Sequence, residues 1–264
     1  MQLTNLDQLN DHYLHVYLSP HLDDAALSCG GAILQQRAAG EPVLVVTICT
    51  AAPPPEGPFN ALAQRFHADW GLAPEQVVSA RLEEDRASME RLGVDYWWAN
   101  RLDAIYRVPE VYDSRDALFS PRNANNDLLL ADLHGLLAAL AERLPHATFY
   151  APLAIGYHVD HQITHRAALE VLADRLLCYE DIPYVNWPGA IEQRMGELAG
   201  AFTPQRLPIG PALPGKLEAI AAYSSQLNEL FGSPEGMRSS VSAYAQRVRP
   251  EHDDYGEQQW RPVK

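Results

Sequence analysis

The chain has 264 residues, 47% hydrophobic and 20% charged, enough to bury a full core as one α/β domain spanning 1–264. Asp and Glu outnumber Lys and Arg by 34 to 20, and the net charge of -14 leaves no electrostatic footprint for nucleic acid or anionic lipid. A small molecule is the expected partner, and homo-oligomerisation stays open. Cys29, Cys49 and Cys178 form neither a disulfide framework nor a CxxC metal knuckle, so they read as reduced, packed side chains. The first residues carry no basic-then-apolar signal, and no apolar run approaches the roughly 20 residues that span a bilayer. The cytoplasm is the default location.

In chain order, the β-formers His15 to Leu18 give way at Ser19-Pro20-His21-Leu22-Asp23-Asp24 to a helix-like stretch, Ala25 to Ala39, ended by Gly40. The run Val43 to Cys49 has the pattern of a strand covered on both faces in a parallel sheet, which completes a βαβ unit. Pro53-Pro54-Pro55 forces a loop. Helices follow at about Asn60 to Trp70 and Pro74 to Leu92, then a short strand at Tyr96 to Trp98. Ala104 to Asn126 is irregular and suits a substrate-side loop. A helix (Asp127 to Leu144), a strand (Thr148 to Leu153) and a helix (about Asp160 to Leu177) come next, so His158-Val159-Asp160-His161 also lies at a strand-to-helix junction. Cys178 to Trp187 and Phe202 to Pro208 read as strands, and Pro214 to Phe231 as one amphipathic helix. The polar tail from about 248 reads as loose.

Acids and imidazoles at the carboxyl ends of strands in an open α/β sheet face the ligand crevice. A catalytic zinc site needs three N or O side chains and one open position. His21, Asp24 and His161 can supply the three. Asp23, next to Asp24 on a turning chain, points elsewhere and becomes the candidate general base. His158, three residues before His161, can bind a developing oxyanion or protonate a leaving amine. Asp160 can orient one of the imidazoles. His165 is a rival ligand in HxxxH spacing, but Gln162 stands where a metalloprotease helix carries Glu. The competing account is that Asp23 or Asp24 caps a helix. Two ligand-rich turns, each after a β-run, weigh against it, because capping requires no imidazoles.

Pro20-His21-Leu22-Asp23-Asp24 with Gly30-Gly31, followed by His158-x-Asp160-His161, resembles the PIG-L / LmbE-like N-deacetylase family. Weaker echoes are Arg81-x-x-Glu84, Leu102-Asp103, and Lys216 followed by Tyr223-Ser224-Ser225-Gln226. The resemblance implies a Rossmann-like three-layer sandwich with a mostly parallel central sheet. It implies a zinc-dependent hydrolase, with iron as another candidate metal, that removes an acetyl group from an amino sugar. It carries over His21, Asp24 and His161 as ligands, Asp23 as base, His158 as electrophilic or acid partner, and Arg81 and Asp103 as substrate-side residues. Leu22 and Ala25 depart from the family's usual Pro and Glu. Gly156 stands where some relatives carry a carbonyl-polarising tyrosine, with Tyr157 one residue nearer the histidine. The expected substrate is a small molecule containing N-acetylglucosamine. A metal amidase for a larger acylated conjugate is the alternative. A non-catalytic metal- or sugar-binding module is the third reading, and retention of Asp23 argues against it.

Overall fold

The computed structural model describes residues 1–71, 74–120, 127–198 and 200–263. Its strands are β1 (Gln2–Leu3), β2 (His15–Ser19), β3 (Val43–Cys49), β4 (Asp95–Arg101), β5 (Thr148–Pro152), β6 (Leu176–Tyr179), β7 (Ala201–Pro208) and β8 (Gly256–Val263). The helices are α1 (Asp24–Ala38), α2 (Ala61–Trp70), α3 (Pro74–Leu92), α4 (Ala104–Arg107), α5 (Arg115–Leu118), α6 (Leu128–Arg143), α7 (Val159–Leu172), α8 (Ala190–Glu197), α9 (Leu213–Ile220), α10 (Ser224–Phe231) and α11 (Pro234–Arg247).

The strands form one sheet in the order β1-β4-β3-β2-β5-β6-β8-β7. From β1 to β6 every pairing is parallel, while β8 runs antiparallel to both β6 and β7. All seven residues of β3 are buried, which requires cover on both faces. The chain steps one way from β2 through β3 to β4, then returns to lay β5 beside β2 and steps the other way to β6. Right-handed crossovers in opposite directions put α1 and α3 on one face and α6 and α7 on the other. The result is a Rossmann-like three-layer α/β sandwich. Strands β2 and β5 flank the topological switch point, where such sheets open a crevice beyond the strand ends.

Several expectations change. The stretch Pro214 to Phe231 is two helices, not one, because the chain turns at Tyr223. There the Tyr223 hydroxyl donates to Asp85 Oδ1 at 2.7 Å, and Glu84 accepts the Ser225 N–H and the hydroxyls of Ser224 and Ser225. Side-chain partners outside the helix win over continuation. The strand expected from Cys178 to Trp187 starts at Leu176 and stops at Tyr179, since Glu180 and Asp181 turn into buried polar contacts. The preceding helix correspondingly ends at Leu172. The tail expected to be loose is β8, inserted between β6 and β7. The stretch from Ala104 to Asn126 holds the short helices α4 and α5, and its part 121–126 lies outside the described residues.

Strand β8 also explains Gly30-Gly31. Glu257 accepts the N–H of Gly31 at 2.8 Å and of Ala32 at 2.9 Å, and Lys216 Nζ donates to the same carboxylate at 2.7 Å. A Cβ on Gly31 would lie 2.8 Å from Glu257 Oε1, and one on Gly30 would lie 3.1 Å from Lys216 Cγ. The missing side chains let a buried ion pair reach the middle of α1.

Candidate active site

The turn after β2 frees its acids from capping. Ser19 Oγ accepts the Ala25 N–H at 3.0 Å, and Asp23 makes no side-chain bond to the helix start. Asp24 Oδ2 instead accepts the His21 N–H at 2.8 Å, which folds the turn back on itself. After β5 the backbone passes through the left-handed region at Ala154, Gly156 and Tyr157 before His158. Two of those residues are not glycine, a strained path of the kind found at functional turns. It delivers His158 and His161 to the site of His21.

His21 Nδ1, Asp24 Oδ2 and His161 Nε2 lie 3.3 Å from one another along all three sides. Metal–ligand bonds of 2.0–2.1 Å at tetrahedral angles separate neighbouring donors by about 3.3–3.4 Å, so this triangle fits a small divalent ion such as zinc. A looser grouping of His21, His158 and His161 has its donor atoms within 4.8 Å of each other. The outer nitrogens of the two triangle imidazoles are already used. His21 Nε2 donates to Asp160 Oδ2 at 3.2 Å, and His161 Nδ1 donates to Asp181 Oδ1 at 2.6 Å. Each bond selects the tautomer whose lone pair points into the triangle.

Burial would lower the pKa of His161, but Asp24 and Asp181 raise it to about 9. The same opposition holds His21 well above its ordinary value, through Asp160, Asp24 and Asp103. The carboxylate field that attracts these protons also favours a dication, which would displace them.

Asp23 stands outside the triangle on the wall of the adjoining pocket. Burial raises its pKa, Arg81 at 3.9 Å lowers it, and Asp24 raises it again, with a net upward shift. His158 is held well below its ordinary value by burial and by His21, so it is neutral. Its Nδ1 accepts the Asp160 N–H at 3.3 Å, which leaves Nε2 to carry the ring proton. Asp160 is fully buried and lies behind His21, where Arg107 donates to it at 2.6 Å and the Ala104 N–H at 3.1 Å. Arg81 and Asp103 line the pocket; Asp103 Oδ1 also caps α4 through the Ile105 N–H, and its Oδ2 lies 3.6 Å from His21 Nε2.

Sequence reasoning singled out two other residues that lie elsewhere. His165 donates through Nδ1 to the Pro152 carbonyl at 2.8 Å, with burial pushing its pKa down to about 3. Tyr157 places its ring under the Arg194 guanidinium, 5.9 Å away, off the pocket wall. Asp181, Arg107 and Tyr184 were not anticipated. Tyr184 lines the pocket with its ring 6.0 Å from His161, seated over Gly156, where a Cβ would come within 2.5 Å of its Cγ.

Imidazoles and acids converging at the switch point of a mostly parallel sheet, with a carboxylate beside the donor triangle, define a metal-dependent hydrolase. The chain belongs to the GlcNAc-PI de-N-acetylase (PIG-L) family, whose pattern matches residues 16–172. It is 30% identical over 225 residues to the 2'-N-acetylparomamine deacetylase of Streptomyces fradiae, covering 80% of this chain and 73% of that one. It is 28% identical over 240 residues to the protein of the same name from Niallia circulans, covering 84% of each. The zinc-inhibited form of teicoplanin deacetylase Orf2 superposes with a TM-score of 0.77 at 30% identity, covering 93% of this chain and 96% of that one. The protein is thus a metal-dependent hydrolase of the PIG-L deacetylase family. Among the described residues no helix is long and apolar enough to cross a membrane.

Proposed function

We propose that the protein removes the N-acetyl group from an amino sugar carried on a larger conjugate, using a divalent metal held by His21, Asp24 and His161. The observation that carries this reading is the 3.3 Å donor triangle with Asp23 beside it and outside it. The relatives are named for 2'-N-acetylparomamine and teicoplanin, which favours the larger acylated conjugate over the small N-acetylglucosamine-containing molecule expected from sequence.

The bound metal would supply Lewis acidity and lower the pKa of water toward 7. Asp23 takes the proton of the attacking water and returns it to the departing amine. His158 donates its Nε2 proton as a hydrogen bond to the acetyl oxygen while that oxygen gains negative charge. Asp160 and Asp181 hold the imidazoles of His21 and His161 in register. Arg81 and Asp103 bind hydroxyls of the sugar on the pocket wall.

Asp23→Ala tests the division of labour. It retains about one equivalent of metal by elemental analysis and loses at least about a hundredfold in amine release, the usual weight of a general base. Turnover near the wild-type rate rules Asp23 out as the base. Because one crystal form of the teicoplanin relative is zinc-inhibited, the assay compares zinc and iron(II), each at one equivalent.

A further inference from the structure

Beyond the pocket lined by His21, Asp23 and Asp24 lies a second, wider cavity of about 640 Å³. The two share a wall made by Phe119, Pro183, Tyr184, Glu229 and Leu230. The outer cavity adds Trp187, a large aromatic side chain left 52% exposed in the 3-10 turn region after β6. Its ring meets that of Tyr184 edge to face, with centroids 5.1 Å apart, and Tyr184 meets Phe119 the same way at 5.8 Å. The Tyr184 ring is pinned over Gly156. The three rings therefore form a continuous shelf leading out from the donor triangle, with Trp187 at the open end.

Glu229 is already bonded to Arg115 at 2.7 Å and to the Trp70 indole N–H at 2.8 Å, so the charges of Glu229 and Arg115 offset one another on the rim, where Asp116 stands beside three aromatic rings. An exposed indole backed by two rings recognises the apolar face of another ring. The volume lies in the range of small-molecule sites. A substrate whose acetamido group reaches the donor triangle has its remaining bulk directed along the shared wall.

We infer that the Phe119–Tyr184–Trp187 shelf binds a ring-bearing aglycone attached to the acetamido sugar, and that Trp187 sets the preference for such conjugates over simple glycosides. This rests on the proposed deacetylase reading for the placement of the sugar, and deepens it by naming the part of the substrate that selects.

The test uses the metal-loaded protein with methyl and phenyl N-acetyl-β-glucosaminide, measuring affinity by calorimetry and turnover by amine release. One added aromatic contact strengthens binding by up to about tenfold. The wild type binds the phenyl glycoside about tenfold more tightly than the methyl glycoside. Trp187→Ala removes most of that preference and leaves the methyl glycoside, which carries no ring to reach Trp187, unchanged; Trp187→Phe restores part of it. Equal affinities in the wild type, no detectable binding of the phenyl glycoside, or a preference that survives Trp187→Ala overturns the inference. Failure of the wild type to release amine from either glycoside overturns the deacetylase reading instead, while the calorimetric comparison still reads the shelf.

Discussion

Asp181 shows how much of the site is built behind the donor triangle. It closes β6, accepts the Ile155 N–H at 2.9 Å through Oδ2 and takes the His161 Nδ1 proton at 2.6 Å through Oδ1. It thus ties the loop after β5 to the imidazole that points into the triangle. Carboxylates in this position typically change metal affinity by about 10–100-fold. Asp181→Asn is expected to keep the fold and weaken metal binding by that factor in a chelator competition; unchanged affinity would mean that the backbone alone aims His161. That His21, Asp24 and His161 converge was legible in the sequence because two clusters of imidazoles and acids follow two β-runs. Asp181 was not, because it fell inside the stretch Cys178 to Trp187 expected as a strand, where an acid carries no spacing signal, and its partner is 20 residues away. Arg107 was hidden for the same reason. Its ion pairs with Asp127 and Asp160 appear only once α4 folds over the sheet edge.

At the scale of elements, β8 is where pattern reading failed and where the fold is locked. Hydrophobic alternation finds strands whose polar residues face water, but Glu257 and Gln259 of β8 are buried, at 1% and 2% exposure. The partners of Glu257, the N–H groups of α1 and the ammonium of Lys216, are long-range and leave no local trace. The parallel core was legible because β3 is apolar throughout, as a doubly covered strand must be. Removing one member of a buried ion pair strands the other, at a cost of about 3–5 kcal/mol, whereas replacing both partners is often nearly neutral. Lys216→Met is therefore expected to lose about that much unfolding free energy in urea titrations. Pairing it with Glu257→Gln should recover part of the loss, since no charge is then left buried. A double variant that loses the sum of both single effects would show that Lys216 and Glu257 act separately.

For the molecule as a whole, two buried groups on different elements make opposite contributions to stability against pH. His165 on α7 is pushed down to about 3 by burial, with Arg194 adding to the shift. Below its unfolded value of 6.5 the unfolded chain takes up a proton that the folded chain refuses, so stability falls as pH drops from about 6.5 toward 3. Asp85 on α3 is raised to about 7, chiefly by burial, against the hydrogen bonds from Trp98 and Tyr223. Here the unfolded carboxyl ionises first, so stability falls as pH rises from about 4 toward 7. Each shift of three units or more is worth on the order of 4 kcal/mol, and the two slopes largely offset one another across their shared window. Single variants separate them. Relative to wild type, His165→Gln gains stability as pH falls from 6.5 to 3, while Asp85→Asn gains as pH rises from 4 to 7 and is level above that. Chemical denaturation in chelator, which keeps metal binding out of the comparison, measures both differences pH by pH. A flat difference for either variant would show that its buried group does not titrate across that window.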